Sequence, residues 1–466
     1  MTLKDLSDKL KTIKMATISK RAKDFRECLN VKHLKSGNSR KPLNQMIMNS
    51  SSIKSLFTLF LLNLICINAS AVELVIPDGT TEITNRKYYG NKTLTSVVIP
   101  ASVTKIGEGA FYGCENIKSI TFSEGLQSIG ENAFAGCNEL TKIELPNSVA
   151  EIEGGAFGGC VSLTEIKLPE NLDKLPEGIF GGCFALADIT LPSGMKVIGK
   201  EAFNGCTNLK NIVLNEGLTT IGEVAFSSCV KMTEISLPTS LTTIDKKAFF
   251  ECINLKYIHI PDSVTTLGES AFEGCDKIDS VTISKGIKKL EDNVFYGCSS
   301  LISIDIPNNV TEIGERTFAK CKNVKRISIP NSVTKIGEGA FCDCTYITAI
   351  EIPNSVTSLG KNAFSRCIYL KSMVLPESLT KIERGLFDDC LYLSSVVIPN
   401  TITSIGNGAF WGCKTIENIA IPASVTSIGN EVFKDCVNLK KITLPKDAEL
   451  GDDVFKGCKN VEIEKF

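Results

Sequence analysis

The residues that could do chemistry here are nineteen cysteines, two histidines and a few adjacent acids. A hydrolytic triad needs a nucleophile, a base and a group that orients the base. His33 and His259 are the only histidines, so no Ser/His/Asp or Cys/His set is expected. Cys342-Asp343-Cys344 is the one C-x-C pair, and no further ligands fall at the spacing a zinc site needs. Cys342 is expected to be a surface thiol. Gly107-Glu108-Gly109 and Gly337-Glu338-Gly339 look like the start of a dinucleotide loop, but lack its strand–turn–helix setting. Asp388-Asp389 and Asp452-Asp453 read as solvated turn acids. No catalytic residue, cofactor or metal is expected, and the chain is expected not to be an enzyme.

The cysteines carry a different message through their spacing. From Cys114 to Cys436 they recur every 23 residues, and Cys458 follows after 22. A phenylalanine stands three positions before each, from Phe111 to Phe455. Counting Cys as zero, apolar residues recur at +3, +6, +8, +12 and +15, as in Leu301, Ile304, Ile306, Val310 and Ile313. Pro often takes +9 and Gly often takes +16. Such a period marks a stacked-repeat architecture.

Each slot has a physical reading. The I-x-I before Pro is β-branched and alternates apolar with polar, which predicts a short strand. Proline ends it because it cannot donate to a ladder. V-T-x-I is expected to form a second short strand or an extended turn, ended by a glycine free to take positive φ. A-F-x-x-C is expected to turn the chain, as short turns or one short helical turn. Stacked units should pair their strands in parallel about 4.8 Å apart. Equivalent cysteines at that spacing point the same way, whereas a disulfide wants converging Cβ atoms roughly 3.5–4.5 Å apart, so buried free thiols are expected. Asn91 stands where Cys would be, and Tyr88 takes the Phe slot. The expected fold is mostly β within the α/β class: a curved solenoid of about 17 repeats over 72–466, with atypical first and last units as caps.

The unit I-x-I-P-x-S-V-T-x-I-G-x-x-A-F-x-x-C, as in Ile329-Pro330 through Cys344, resembles the BspA-like class of leucine-rich repeat. The resemblance covers 73–466. It implies a leucine-rich-repeat solenoid and a secreted or surface protein, of a kind that includes adhesins binding host or neighbouring-cell proteins. It brings no catalytic or fixed binding residues, so candidate sites must be argued locally.

The N-terminal region differs in kind. Residues 1–71 carry +9, leaving −10 on the remainder of a chain whose net charge is −1. An acidic body without a basic stripe argues against nucleic-acid binding. Residues 56–67 are an apolar run too short to span a bilayer comfortably, followed by Ala69-Ser70-Ala71, a small-x-small cleavage site. Residues 46–71 are therefore expected to be a signal peptide that leaves no membrane span in the mature chain. Residues 1–45 are expected to be an extension from a misplaced start, the alternative being a basic tail before a signal anchor.

Candidate binding residues are departures from the repeat. Tyr346, Tyr369 and Tyr392 occupy +2 in three successive units, where a polar residue is usual, and are expected to stack near Trp411. Tyr257 and His259 share one outward strand face, with Arg326 three units later. Asn91-Lys92-Thr93 is a glycosylation sequon. The expected partner is a protein or glycan on a host or neighbouring-cell surface. The alternative is a structural or shielding element without a specific ligand.

Overall fold

Most units lay down two short strands and a run of turns; those after Cys229 and Cys344 lack the first strand. The computed structural model describes residues 72–466, so the cleavage site, the apolar run and the basic extension lie outside the described residues. The first strand of a unit centres on +6, as in Ser303–Asp305 and Arg326–Ser328. The second ends at +15, as in Glu312–Ile313 and Lys335–Ile336. Both kinds pair in parallel one rung apart: Ile304 faces Ile327, and Ile313 faces Ile336. The result is a parallel β-solenoid of about 17 turns.

The core is a set of columns. Phe111 through Phe433 are fully buried, and their rings stack with centroids 5.2–6.2 Å apart. Tyr88 continues the column, 5.1 Å from Phe111. That spacing suits offset stacking. The cysteines from Cys114 to Cys436 are buried and free, as their spacing predicted. Most of these thiols donate to the carbonyl of the preceding rung's phenylalanine; Cys321 Sγ lies 3.2 Å from the Phe295 oxygen. Burial pushes these thiols up, Cys252 to about 12, so they are inert.

Two local expectations are corrected. The A-F-x-x-C segment is not a helical turn, since no helix occurs among the described residues. It is a staircase of β-turns. In one unit the amides of Ala340, Cys342 and Cys344 bond back to the carbonyls of Gly337, Gly339 and Phe341. The amides between them reach the next rung: Gly339, Phe341 and Asp343 donate to Lys361, Ala363 and Ser365. Such a path needs left-handed residues, here Gly339 (φ 59°) and Asp343 (φ 60°).

The glycine at +16 has another purpose than positive φ. A Cβ on Gly337 would sit 2.6 Å from the Glu315 nitrogen and the Gly314 carbonyl carbon of the rung before. Glycine is there for close backbone approach. Where it is missing, the second-strand sheet can break. The sheet runs in four segments, interrupted before Lys174–Leu175, Lys289–Leu290 and Lys381–Ile382. The residues after these strands are Pro176, Glu291 and Glu383. Proline has no amide to give, and the glutamates bring a Cβ. Ring stacking loosens at two of these places, to 6.2 Å for Phe157–Phe180 and 6.0 Å for Phe364–Phe387. Glu153 and Asp245 also replace this glycine but still donate to the previous rung, so its absence permits a break without forcing one.

The final strand, Glu462–Lys465, is exposed throughout. Lys465 takes the column that buried Leu444 fills one rung earlier. An inward-pointing charge on an edge strand discourages further pairing.

Candidate interaction surface

On the first-strand side, main-chain donation to the preceding rung starts at +2. The amides of Tyr346, Tyr369 and Tyr392 donate to the carbonyls of Lys322, Thr345 and Ile368 on the preceding rung. Elsewhere asparagine uses its side chain for the same purpose: Asn208 Nδ2 reaches the Phe184 carbonyl at 2.8 Å, and Asn254 Nδ2 reaches Val230 at 2.7 Å. Replacing Asn with Tyr hands that carbonyl to the main chain and releases the side chain. The rings then stack on one another, at 5.3 Å and 6° for Tyr346–Tyr369 and at 5.1 Å and 9° for Tyr369–Tyr392. They remain 45%, 38% and 50% exposed. The ridge expected from the sequence is present.

Trp411 does not join it. Its indole Nε1 donates to Asp435 Oδ2 at 3.2 Å, and Lys434 Nζ lies 4.3 Å from its ring. Among the described residues no ring pair links it to the tyrosines. Tyr257 and His259 flank buried Ile258 on the strand Tyr257–His259 and both face out. The Tyr257 hydroxyl donates to Glu234 Oε2 at 3.5 Å. Arg326 forks onto Asp305 at 2.9 and 3.2 Å. It lies three rungs, about 14 Å, from Tyr257, so these residues do not form one cluster. Asn91 Oδ1 accepts from the Thr93 amide and hydroxyl at 3.0 and 2.8 Å, so the sequon forms a closed Asx turn.

Cys342 departs from the expected surface thiol. It is half-buried, and desolvation pushes its thiol up, with Asp343 adding to the effect. Among the described residues no cluster of His, Cys, Asp and Glu could hold a metal, and no helix is long and apolar enough to cross a membrane. An open groove of about 380 Å³ lies on the second strands, with Lys289, Lys335 and Lys361 beside Glu312, Glu315 and Glu338. Its charges are mixed and it holds no nucleophile–base pair.

Sequence reasoning missed three exposed valines at +7, of which Val213, 69% exposed, stands apart on the Cys206 rung. Val374 and Val397 sit at +7 on the strands Ser372–Val374 and Ser395–Val397, 65% and 54% exposed. They share rungs with Tyr369 and Tyr392. The signal was available, since +7 usually carries Thr, Ser or a charge.

A family model for the BspA type leucine rich repeat region matches 65–185, 127–240, 219–348 and 334–462, in six copies. The chain belongs to the BspA-type leucine-rich-repeat family. Its fold resembles a leucine-rich repeat protein from Bacteroides ovatus at 26% identity and TM-score 0.51, over 78% of this chain and 85% of that one. A leucine rich cell surface protein from Faecalibacterium prausnitzii aligns at 26% identity and TM-score 0.39, over 70% and 87%. The pneumococcal vaccine antigen PcpA aligns at 20% identity and TM-score 0.31, over 85% and 90%. No curated protein matches the chain. The BspA-type family and its fold are generally non-enzymatic, and leucine-rich-repeat proteins generally bind other proteins.

Proposed function

We propose that this chain is a secreted or cell-surface recognition protein that binds a protein or glycan partner through the outward side of its first strands. The observation that carries this reading is the tyrosine ridge. The fold satisfies the +1 carbonyls there without the side chains, so three large rings stand on the surface beyond what the repeat requires. Tyrosine is a favoured anchor at interfaces. Residues 46–71 act as the export signal, residues 1–45 precede the true start, and Asn91 carries a glycan where the host glycosylates secreted proteins. N-terminal sequencing of the natural protein should find Val72 or a near neighbour first.

The test of the binding reading is capture of extracellular-matrix and cell-surface proteins by the wild type and by Tyr369→Ala. Wild type should retain a partner and the variant should lose it. Capture that survives Tyr369→Ala refutes the ridge as the site. One observation favours a structural or shielding element instead. Tyr346–Tyr369 crosses the junction between the Cys344 and Cys367 rungs, where neither strand sheet pairs, so the rings brace the stack there. On that reading Tyr369→Ala lowers stability and wild type captures nothing.

A further inference from the structure

The tyrosine ridge sits within a change of charge. The ten rungs from Asn91 to Cys298 carry eight basic and nine acidic side chains at +1, +2, +4, +5 and +7. The six rungs from Cys321 to Cys436 carry seven basic and two acidic at the same positions. The excess is placed at the two ends. Lys322, Lys325 and Arg326 lie on the rung before the ridge, and Lys440 and Lys441 lie on the second rung after Tyr392's. Among the described residues Lys322, Lys325, Lys371 and Lys414 have no ion-pair partner. Arg326, Lys440 and Lys441 hold Asp305, Glu417 and Glu464, with basic side chains 63%, 68% and 42% exposed, pairs a competing anion can exchange. Between the basic ends the outward surface carries Tyr346, Tyr369 and Tyr392 with Val374 and Val397, beside Glu351, Lys371, Lys414 and Glu417, whose charges balance. The body that carries this patch is acidic by ten charges.

The ring geometry selects among anionic partners. Near-parallel rings about 5 Å apart cover one another's faces, so the ridge presents edges and hydroxyls. Aromatic edges carry partial positive charge and suit carbonyl and carboxylate oxygens. A sugar ring that must lie flat finds no open face along the middle of the ridge. The exposed valines suit aliphatic side chains.

We propose that the rungs from Cys321 to Cys436 form a docking surface for a protein segment with an apolar middle and acidic ends. The basic ends stand five rungs apart, about 24 Å, which about seven extended residues span. The proposal rests on the recognition reading above and adds the chemistry of the partner. Charge steers the segment and sets its register, while the ridge and valines bind its centre.

The experiment uses the full chain and a labelled synthetic peptide, a Leu/Ser-alternating centre between glutamate triplets. Its lysine-triplet counterpart and an oligogalacturonate are the comparison probes. Binding is followed by anisotropy at low and raised salt. The glutamate peptide should bind, weaken with salt, and weaken roughly tenfold with Tyr369→Ala and with Lys322→Glu/Lys325→Glu. Lys118→Glu/Lys210→Glu, the same change at +4 on earlier rungs, should have no effect. Thermal unfolding of each variant keeps folding separate from binding. No binding of the glutamate peptide, equal binding of the lysine peptide, or tighter binding of the oligogalacturonate each overturns the proposal. Loss of partner capture in Tyr369→Ala without any effect of the lysine variants overturns the charge assignment and leaves the ridge as a site.

Discussion

Two kinds of residue set the stability of each rung: a phenylalanine that fills it and polar groups that must tolerate burial. Phe272 is fully buried, with rings at 5.2 and 5.7 Å on either side. Phe272→Ala should cost about 3–5 kcal/mol in denaturant unfolding, and an unchanged midpoint would contradict the column as the main source of cohesion. Asp388 is the opposite case. Desolvation raises its pKa, with Asp389 adding to this, while Ser365 and Arg366 oppose. A carboxyl whose folded pKa is raised weakens the fold once it is charged, and the penalty vanishes as pH falls and both states protonate. Asp388→Asn should therefore unfold later than wild type at neutral pH, with the gap closing toward pH 3. A gap that does not change with pH would point to shape or hydrogen bonding instead of charge.

At the scale of the element, one column separates two outcomes of a single substitution. Gly337→Ala pushes a Cβ into the backbone of the rung before and should cost about 1–3 kcal/mol. Glu383→Ala lies in the same column where the sheet is already open, and should leave the unfolding midpoint nearly unchanged. Both elements were partly legible in the sequence. Strand positions followed from Ile304, Ile306 and Ile313 because alternation and β-branching are local properties. The turn was misread because A-F-x-x-C has helical composition, while its path is set by bonds to the next rung, such as Phe341 to Ala363, which no window of one unit contains. Gly337 was noticed for the wrong reason, since positive φ and close approach select the same residue. At the candidate site, the tyrosines stood out by breaking a column. The basic ends did not, because single lysines are ordinary at outward positions and their excess shows only when rungs are compared.

For the whole molecule, the cysteines act together. Fifteen buried thiols are held protonated, while in the unfolded chain each ionises near the ordinary value of about 8.5. A raised folded pKa means stability that is intact below that value and is lost as pH climbs toward about 12, the value reached by Cys160 and Cys206. Urea midpoints should fall steeply above pH 9, and Cys298→Ala should flatten the decline by up to about 1.4 kcal/mol per pH unit. An equal slope in the variant would place the alkaline sensitivity elsewhere. The three interruptions in the second-strand sheet have a mechanical consequence. A chain drawn out by its two ends loads every rung in series, so it parts at the weakest junction first. That junction lies between the Cys344 and Cys367 rungs, where neither strand sheet pairs and Tyr346 against Tyr369 is the added brace. Under tension the molecule should lengthen in discrete steps set by its sheet segments, and the same rings proposed to grip a partner would be those that bear the strain.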